Sequence, residues 1–116
     1  MQFVDIGVNL TNASFKDDIA DVIANARSAG ISSMVITGTS ELSSKEALAL
    51  AQQWGLFCTA GIHPHDAKDA STGFVANLKQ LTESPQVVAI GECGLDFNRN
   101  YSPKNEQRDV FEQQLE

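Results

Sequence analysis

Val87-Val88-Ala89-Ile90-Gly91-Glu92-Cys93-Gly94 is the stretch on which the reading of this chain turns. Four apolar residues run directly into a carboxylate set between glycines. A short, nearly continuous apolar run is the pattern of a parallel strand buried on both faces. Three more such runs lie upstream, at Phe3-Val8, Ser33-Thr37 and Leu56-Ala60. They recur roughly every 25–30 residues, the size of a strand–helix unit.

Helical patterns fill the gaps. Phe15, Ile19, Val22, Ile23 and Ala26 fall on one stripe at 3.6-residue spacing. Ser14 is positioned as its N-cap with Asp17 three residues on, and Gly30 stands where a C-terminal cap glycine belongs. A second helix groups Ala47, Leu50, Ala51 and Trp54, with Ser43 and Glu46 in capping-box spacing and Gly55 at its end. A third turns Phe74, Leu78 and Leu81 inward and closes at Pro85. A fourth starts near Pro103 and carries Val110, Phe111 and Leu115.

Alternating strands and helices predict a parallel sheet with right-handed crossovers, the start of either a doubly wound sheet or a (β/α)8 barrel. Neither a Gly-x-Gly-x-x-Gly nor a P-loop follows the first strand, which disfavours dinucleotide or nucleoside-triphosphate binding of those kinds. The last helix has no stop signal, and a closed barrel needs about 250 residues against the 116 here. Four units alone would leave two unpaired strand edges. The expectation is an α/β chain, residues 1–116, forming the N-terminal half of a (β/α)8 TIM barrel.

Composition narrows the function classes. With 8 Lys+Arg against 15 Asp+Glu the net charge is −7, which argues against non-specific attraction to nucleic acid over the whole surface. A nucleic-acid enzyme with cations at its site remains compatible, since the metal then supplies the positive field. No apolar stretch approaches membrane-spanning length, and the start lacks signal-peptide character, so the chain reads as cytoplasmic with no membrane partner. Cys58 and Cys93 are then expected as reduced thiols.

Parallel α/β folds place their chemistry beyond the carboxyl ends of the strands. Polar residues gather at three such ends. Asp5 and Asn9 flank Gly7 after the first strand, His63 and His65 stand in Gly61-Ile62-His63-Pro64-His65-Asp66 after the third, and Glu92 and Asp96 follow the fourth. His63 and His65, two residues apart on an extended segment, would face the same side. Neutral imidazoles bind a metal and protonated ones hold a phosphate oxygen, although two loop histidines satisfied by backbone would look the same. A carboxylate such as Glu92 at the end of a buried strand needs a partner, hydrogen bonds or a metal; escape to solvent or pairing with Arg99 are the plainer readings. Asp96 is equally well explained by an Asx turn. Asp5 and Asn9 are secondary candidates.

In combination, Asp5-Ile6-Gly7-Val8-Asn9-Leu10, the His63-Pro64-His65 segment and Gly91-Glu92-Cys93-Gly94-Leu95-Asp96-Phe97 resemble the TatD deoxyribonucleases, in order along all 116 residues. The resemblance implies a TIM-barrel, metal-dependent hydrolase of DNA phosphodiesters, an exonuclease trimming 3′ ends, using Mg2+ or else Mn2+ or Zn2+. Glu92 matches the family's metal-ligating glutamate, and His63 and His65 match a pair beside the metal that contacts substrate phosphate. Gly7 and Asn9 stand where many members carry histidines, so no strand-one histidine ligand is carried over. The family's remaining two histidines and an aspartate would lie beyond residue 116, leaving residues 1–116 without a complete site and inactive by themselves. Competing readings are a tRNA deacylase or small-substrate phosphoesterase on the same barrel, or a non-catalytic half-barrel that associates through its open edges with itself or another chain.

Overall fold

The computed structural model describes residues 1–116. Strands β1 (Phe3–Val8), β2 (Ile31–Ile36), β3 (Phe57–Ala60) and β4 (Val87–Ile90) alternate with helices α1 (Ile19–Ser28), α2 (Glu41–Trp54), α3 (Phe74–Thr82) and α4 (Lys104–Leu115). The strands form one sheet in the order β1-β2-β3-β4, each parallel to its neighbour. That order settles which α/β class is present. A doubly wound sheet reverses its order at a switch point, whereas a barrel adds every strand on the same side. The four units wind in one direction, as the N-terminal half of a TIM barrel.

Burial alternates along the central strands. Met34 and Ile36 of β2 and Cys58 and Ala60 of β3 are buried, whereas Val35, Phe57 and Thr59 are not. Met34, Ile36 and Cys58 pack with Leu10, Ile23, Ala47, Ala51 and Leu56 into a first core beneath α1 and α2. Ala60 joins Ile62, Ala67, Phe74, Leu78 and Val110 in a second core beneath α3 and α4. Burial on both faces of every strand is thus not observed. One face carries the helices; the other is open, and Phe3, Val4, Ile6, Val88 and Ile90 on the edge strands are exposed. Continuous apolar sequence still fits a barrel strand, whose second face is covered only when the barrel closes.

Several local expectations need correction. Asn12, not Ser14, caps the first helical turn: its side chain accepts from the Ser14 N–H, and Ala13–Phe15 forms a 3-10 turn before α1 begins at Ile19. The capping box of α2 pairs Ser40 with Ser43 rather than Ser43 with Glu46. Gly55 does end α2, at φ +65. In α4 the inward stripe is Gln107, Val110 and Gln114; Leu115 is exposed and Phe111 half-buried. The apolar positions drew the stripe one register away, because two amides, the buried Gln107 and the half-buried Gln114, occupy the inward face. Both cysteines are free, and burial pushes the Cys58 thiol up to about 11.

Candidate active site

The ends of β3 and β4 are held unusually close. A Cβ on Gly61 would lie 2.7 Å from the Gly91 carbonyl carbon, so only glycine lets the two chains pass. The Gly91 N–H donates to Ala60 O and the Glu92 N–H to Gly38 O, which carries the ladder past the strands and into the loops. The buried Ser44 hydroxyl of α2 accepts from Gly61 N–H and lies 3.3 Å from Gly61 O. These contacts bring the β3 and β4 loops over one open pocket of about 320 Å3, lined by Gly7, Asn9, Thr37, Thr39, His63, His65, Asp66 and Glu92. No hydrophobic side chain lines it.

His63 and His65 both reach this pocket, but not by the expected route. The segment is not extended: His63 caps a 3-10 helix, Pro64–Asp69, and His65 lies inside it. The His65 N–H donates to His63 Nδ1 at 3.1 Å, so in neutral His63 the proton sits on Nε2, which stands 3.6 Å from Glu92 Oε1. That spacing is too long for a hydrogen bond. His65 Nε2 meets Asp96 Oδ2 at 2.6 Å, and since a carboxylate only accepts, Nε2 carries the hydrogen. His65 Nδ1 is left as the ring atom free to act. The two rings are edge-on with centroids 4.3 Å apart.

Asp96 therefore does two jobs that the sequence left as alternatives. Its Oδ1 accepts from the Asn98 and Arg99 N–H groups in an Asx-type turn, while Oδ2 orients His65. The His65 hydrogen bond foremost, and then the Arg99 N–H, hold the Asp96 carboxyl down at about 2. Glu92 is exposed and pairs with His63, not Arg99. Asn9 lines the pocket from β1's end, whereas Asp5 is exposed on β1 outside the pocket and joins none of these groups.

Sequence reasoning missed the residues that hold the loops in place. The Gln107 amide, 1% exposed, grips Asp96 through both backbone groups: Oε1 accepts from Asp96 N–H and Nε2 donates to Asp96 O. One helical stripe further on, Gln114 grips Ile62 in the same two-sided way. The buried Ser102 hydroxyl donates to His65 O and accepts from Lys68 N–H. A single helix thus pins both loops. Spacing of seven between two glutamines on an otherwise apolar stripe was the available signal.

The fit to a divalent cation is incomplete. No group of three or more His, Cys, Asp and Glu side chains is close enough to hold one. Glu92 offers one carboxylate, and near-octahedral oxygen coordination needs several more donors. Residues 1–116 do not by themselves make a metal site.

Comparison with known proteins agrees with this geometry. The family profile described as TatD related DNase matches residues 4–116. The chain is 55% identical over 113 residues to a "3'-5' ssDNA/RNA exonuclease TatD" of Erwinia tasmaniensis, covering 96% of this chain and 44% of that protein. A protein of the same description from Edwardsiella piscicida is 53% identical over 114 residues, again covering 44% of its length. Among solved structures, a TatD family hydrolase from Entamoeba histolytica superposes with a TM-score of 0.88 at 30% identity, covering 98% of this chain and 44% of that one. A TatD homolog from Escherichia coli K12 gives 0.86 at 27% identity, covering 97% and 45%. The chain spans less than half the length of each of these relatives. With its strand order, its pocket at the strand ends and a profile match over nearly all its residues, the chain belongs to the TatD-related DNase family.

Proposed function

We propose that residues 1–116 supply the phosphate-holding side of the active site of a hydrolase that removes nucleotides from the 3′ end of single-stranded DNA or RNA. The observation that carries this reading is the pocket without hydrophobic lining, where His63, His65 and Glu92 converge and Asp96 fixes one imidazole. A phosphodiester is a compact anion that asks for directed donors rather than apolar contact. His65, held through Nε2, presents Nδ1; when protonated it donates to a phosphate oxygen there. His63 lines the same pocket, its Nδ1 taken by the His65 N–H and its Nε2 3.6 Å from Glu92 Oε1. Positioning and charge compensation of this kind are the main protein contributions to phosphoryl chemistry.

Glu92 is further proposed as one ligand of a divalent cation, Mg2+ with Mn2+ or Zn2+ as alternatives, the other donors lying outside residues 1–116. Such an ion, if held there, would supply Lewis-acid polarisation of the phosphate. In the intact protein, Glu92→Gln is expected to abolish Mg2+-dependent degradation of a single-stranded oligonucleotide while leaving the circular dichroism spectrum unchanged. Full activity in that variant would remove Glu92 from the site.

A further inference from the structure

Beside the pocket, on the loop and helix that follow Glu92, lies a second group of residues. His65 stands edge-on to Tyr101, with centroids 4.7 Å apart and an interplanar angle of 89°, so an aromatic row runs from His63 through His65 to a Tyr101 ring that is 60% exposed. Within the same stretch of sequence, Lys104 Nζ and Arg108 Cζ lie 5.3 and 5.2 Å from the centroid of the Phe97 ring. Both cations are exposed. In a chain with 15 acidic residues, neither has a carboxylate within 4.0 Å; the only ion pairs are those of the two histidines. A π-face attracts cations without neutralising them. Phe97 thereby gathers two positive charges, one helical turn apart, and leaves both available to an anion.

We propose that Tyr101, Lys104 and Arg108 form a binding track for single-stranded nucleic acid leading into the pocket, Tyr101 stacking on a base and the two cations contacting backbone phosphates. The proposal rests on the nuclease reading for its ligand class and adds the residues that hold the strand. The observations select a single strand over a duplex, because an exposed ring at the pocket rim meets a base face only where the base is unstacked. The backbone around Tyr101 is fixed for that role. Ser102 is fully buried, its hydroxyl donates to His65 O, and its carbonyl accepts from Gln107 Nε2. The local charge also differs from that of the whole: three of the eight cationic residues, Arg99, Lys104 and Arg108, fall within ten positions. The acids of the same helix pair with neither cation. Asp109 accepts from Gln113, Glu106 is half-buried, and Glu112 makes no ion pair.

The test is binding without turnover. A fluorescein-labelled ten-nucleotide oligothymidylate is titrated with the intact protein in EDTA, and anisotropy is read across a salt series. Tyr101→Ala is expected to weaken binding at least about five-fold, and Tyr101→Phe to restore it, since the ring and not the hydroxyl stacks. Lys104→Gln with Arg108→Gln is expected to lower the slope of log affinity against log salt by about 1.4, roughly 0.7 for each phosphate contact to a single strand. Parental affinity and slope in these variants would overturn the track and leave the nuclease reading untouched. No binding by the parent, or tighter binding of the matching duplex, would overturn it too. Active Glu92→Gln protein together with weakened binding by these variants would keep the track and remove Glu92 from the site.

Discussion

Replacing Gln107 by leucine tests the claim that a buried amide, rather than an apolar contact, sets the position of the β4 loop. Gln107 is 1% exposed and makes three hydrogen bonds: it accepts from Asp96 N–H at 2.8 Å and donates to Asp96 O at 3.1 Å and to Ser102 O at 2.8 Å. Leucine has similar volume, so the packing term nearly cancels and the polar term decides. Each lost bond is worth about 1 kcal/mol net, with a further desolvation cost where the abandoned group stays dry. The sum is about 3 kcal/mol, reduced to the extent that the half-exposed Asp96 finds water. Gln114→Leu is the internal comparison. It also breaks three bonds, two to Ile62 and one to Val110 O, but Gln114 is half-buried and water can replace them. Its expected loss is nearer 1 kcal/mol. Urea unfolding of the intact protein and its two variants measures both, and amide exchange at Asp96 reports the loop directly. A Gln107→Leu loss below about 0.5 kcal/mol, within the range of ordinary surface substitutions, would refute the reasoning.

Two other outcomes follow from the site and its frame. Asp96 titrates at about 2, below its ordinary 3.8, so the stabilisation it contributes is present above the ordinary value and is lost as the pH falls through 2. The stability gap between the parent and Asp96→Asn should close as the pH falls from 4 to 2; a gap unchanged over that range would mean that the His65 bond is not made in solution. Gly61→Ala would drive a Cβ to within 2.7 Å of the Gly91 carbonyl carbon and 2.8 Å of its oxygen, both backbone atoms. Overpacking against backbone costs about 1–3 kcal/mol and should part the β3 and β4 ends, read as a lower urea midpoint. An unchanged midpoint would show that the strands need not pass so closely.

Sequence reading located the strands well: β1 and β4 have the bounds that their apolar runs suggest, and β2 and β3 differ only at their ends. It also placed His63, His65 and Glu92 together, because all three follow strand ends and a parallel sheet brings those ends to one rim. The reasons behind some correct placements were nonetheless wrong. The two histidines converge through a 3-10 turn held by the His65 N–H to His63 Nδ1 bond, not through extended alternation. Capping was misassigned at α1 and α2 because serines and aspartates crowd both starts, and the choice among them depends on which backbone N–H each side chain reaches.

What the sequence by itself determined is local and periodic: alternating elements, the apolar faces of α1 to α3, and the clustering of chemistry-bearing residues after β3 and β4. Tertiary structure alone decided the rest. The choice between doubly wound sheet and barrel required the order β1-β2-β3-β4, since each strand pairs with a neighbour whose identity is not written in its own residues. The His65–Asp96 and His63–Glu92 pairs span 31 and 29 positions, and the glutamine clamps of α4 reach back as far as Ile62. A hydrogen bond depends on distances of a few tenths of an ångström, and such distances between remote segments exist only once helices and sheet have packed.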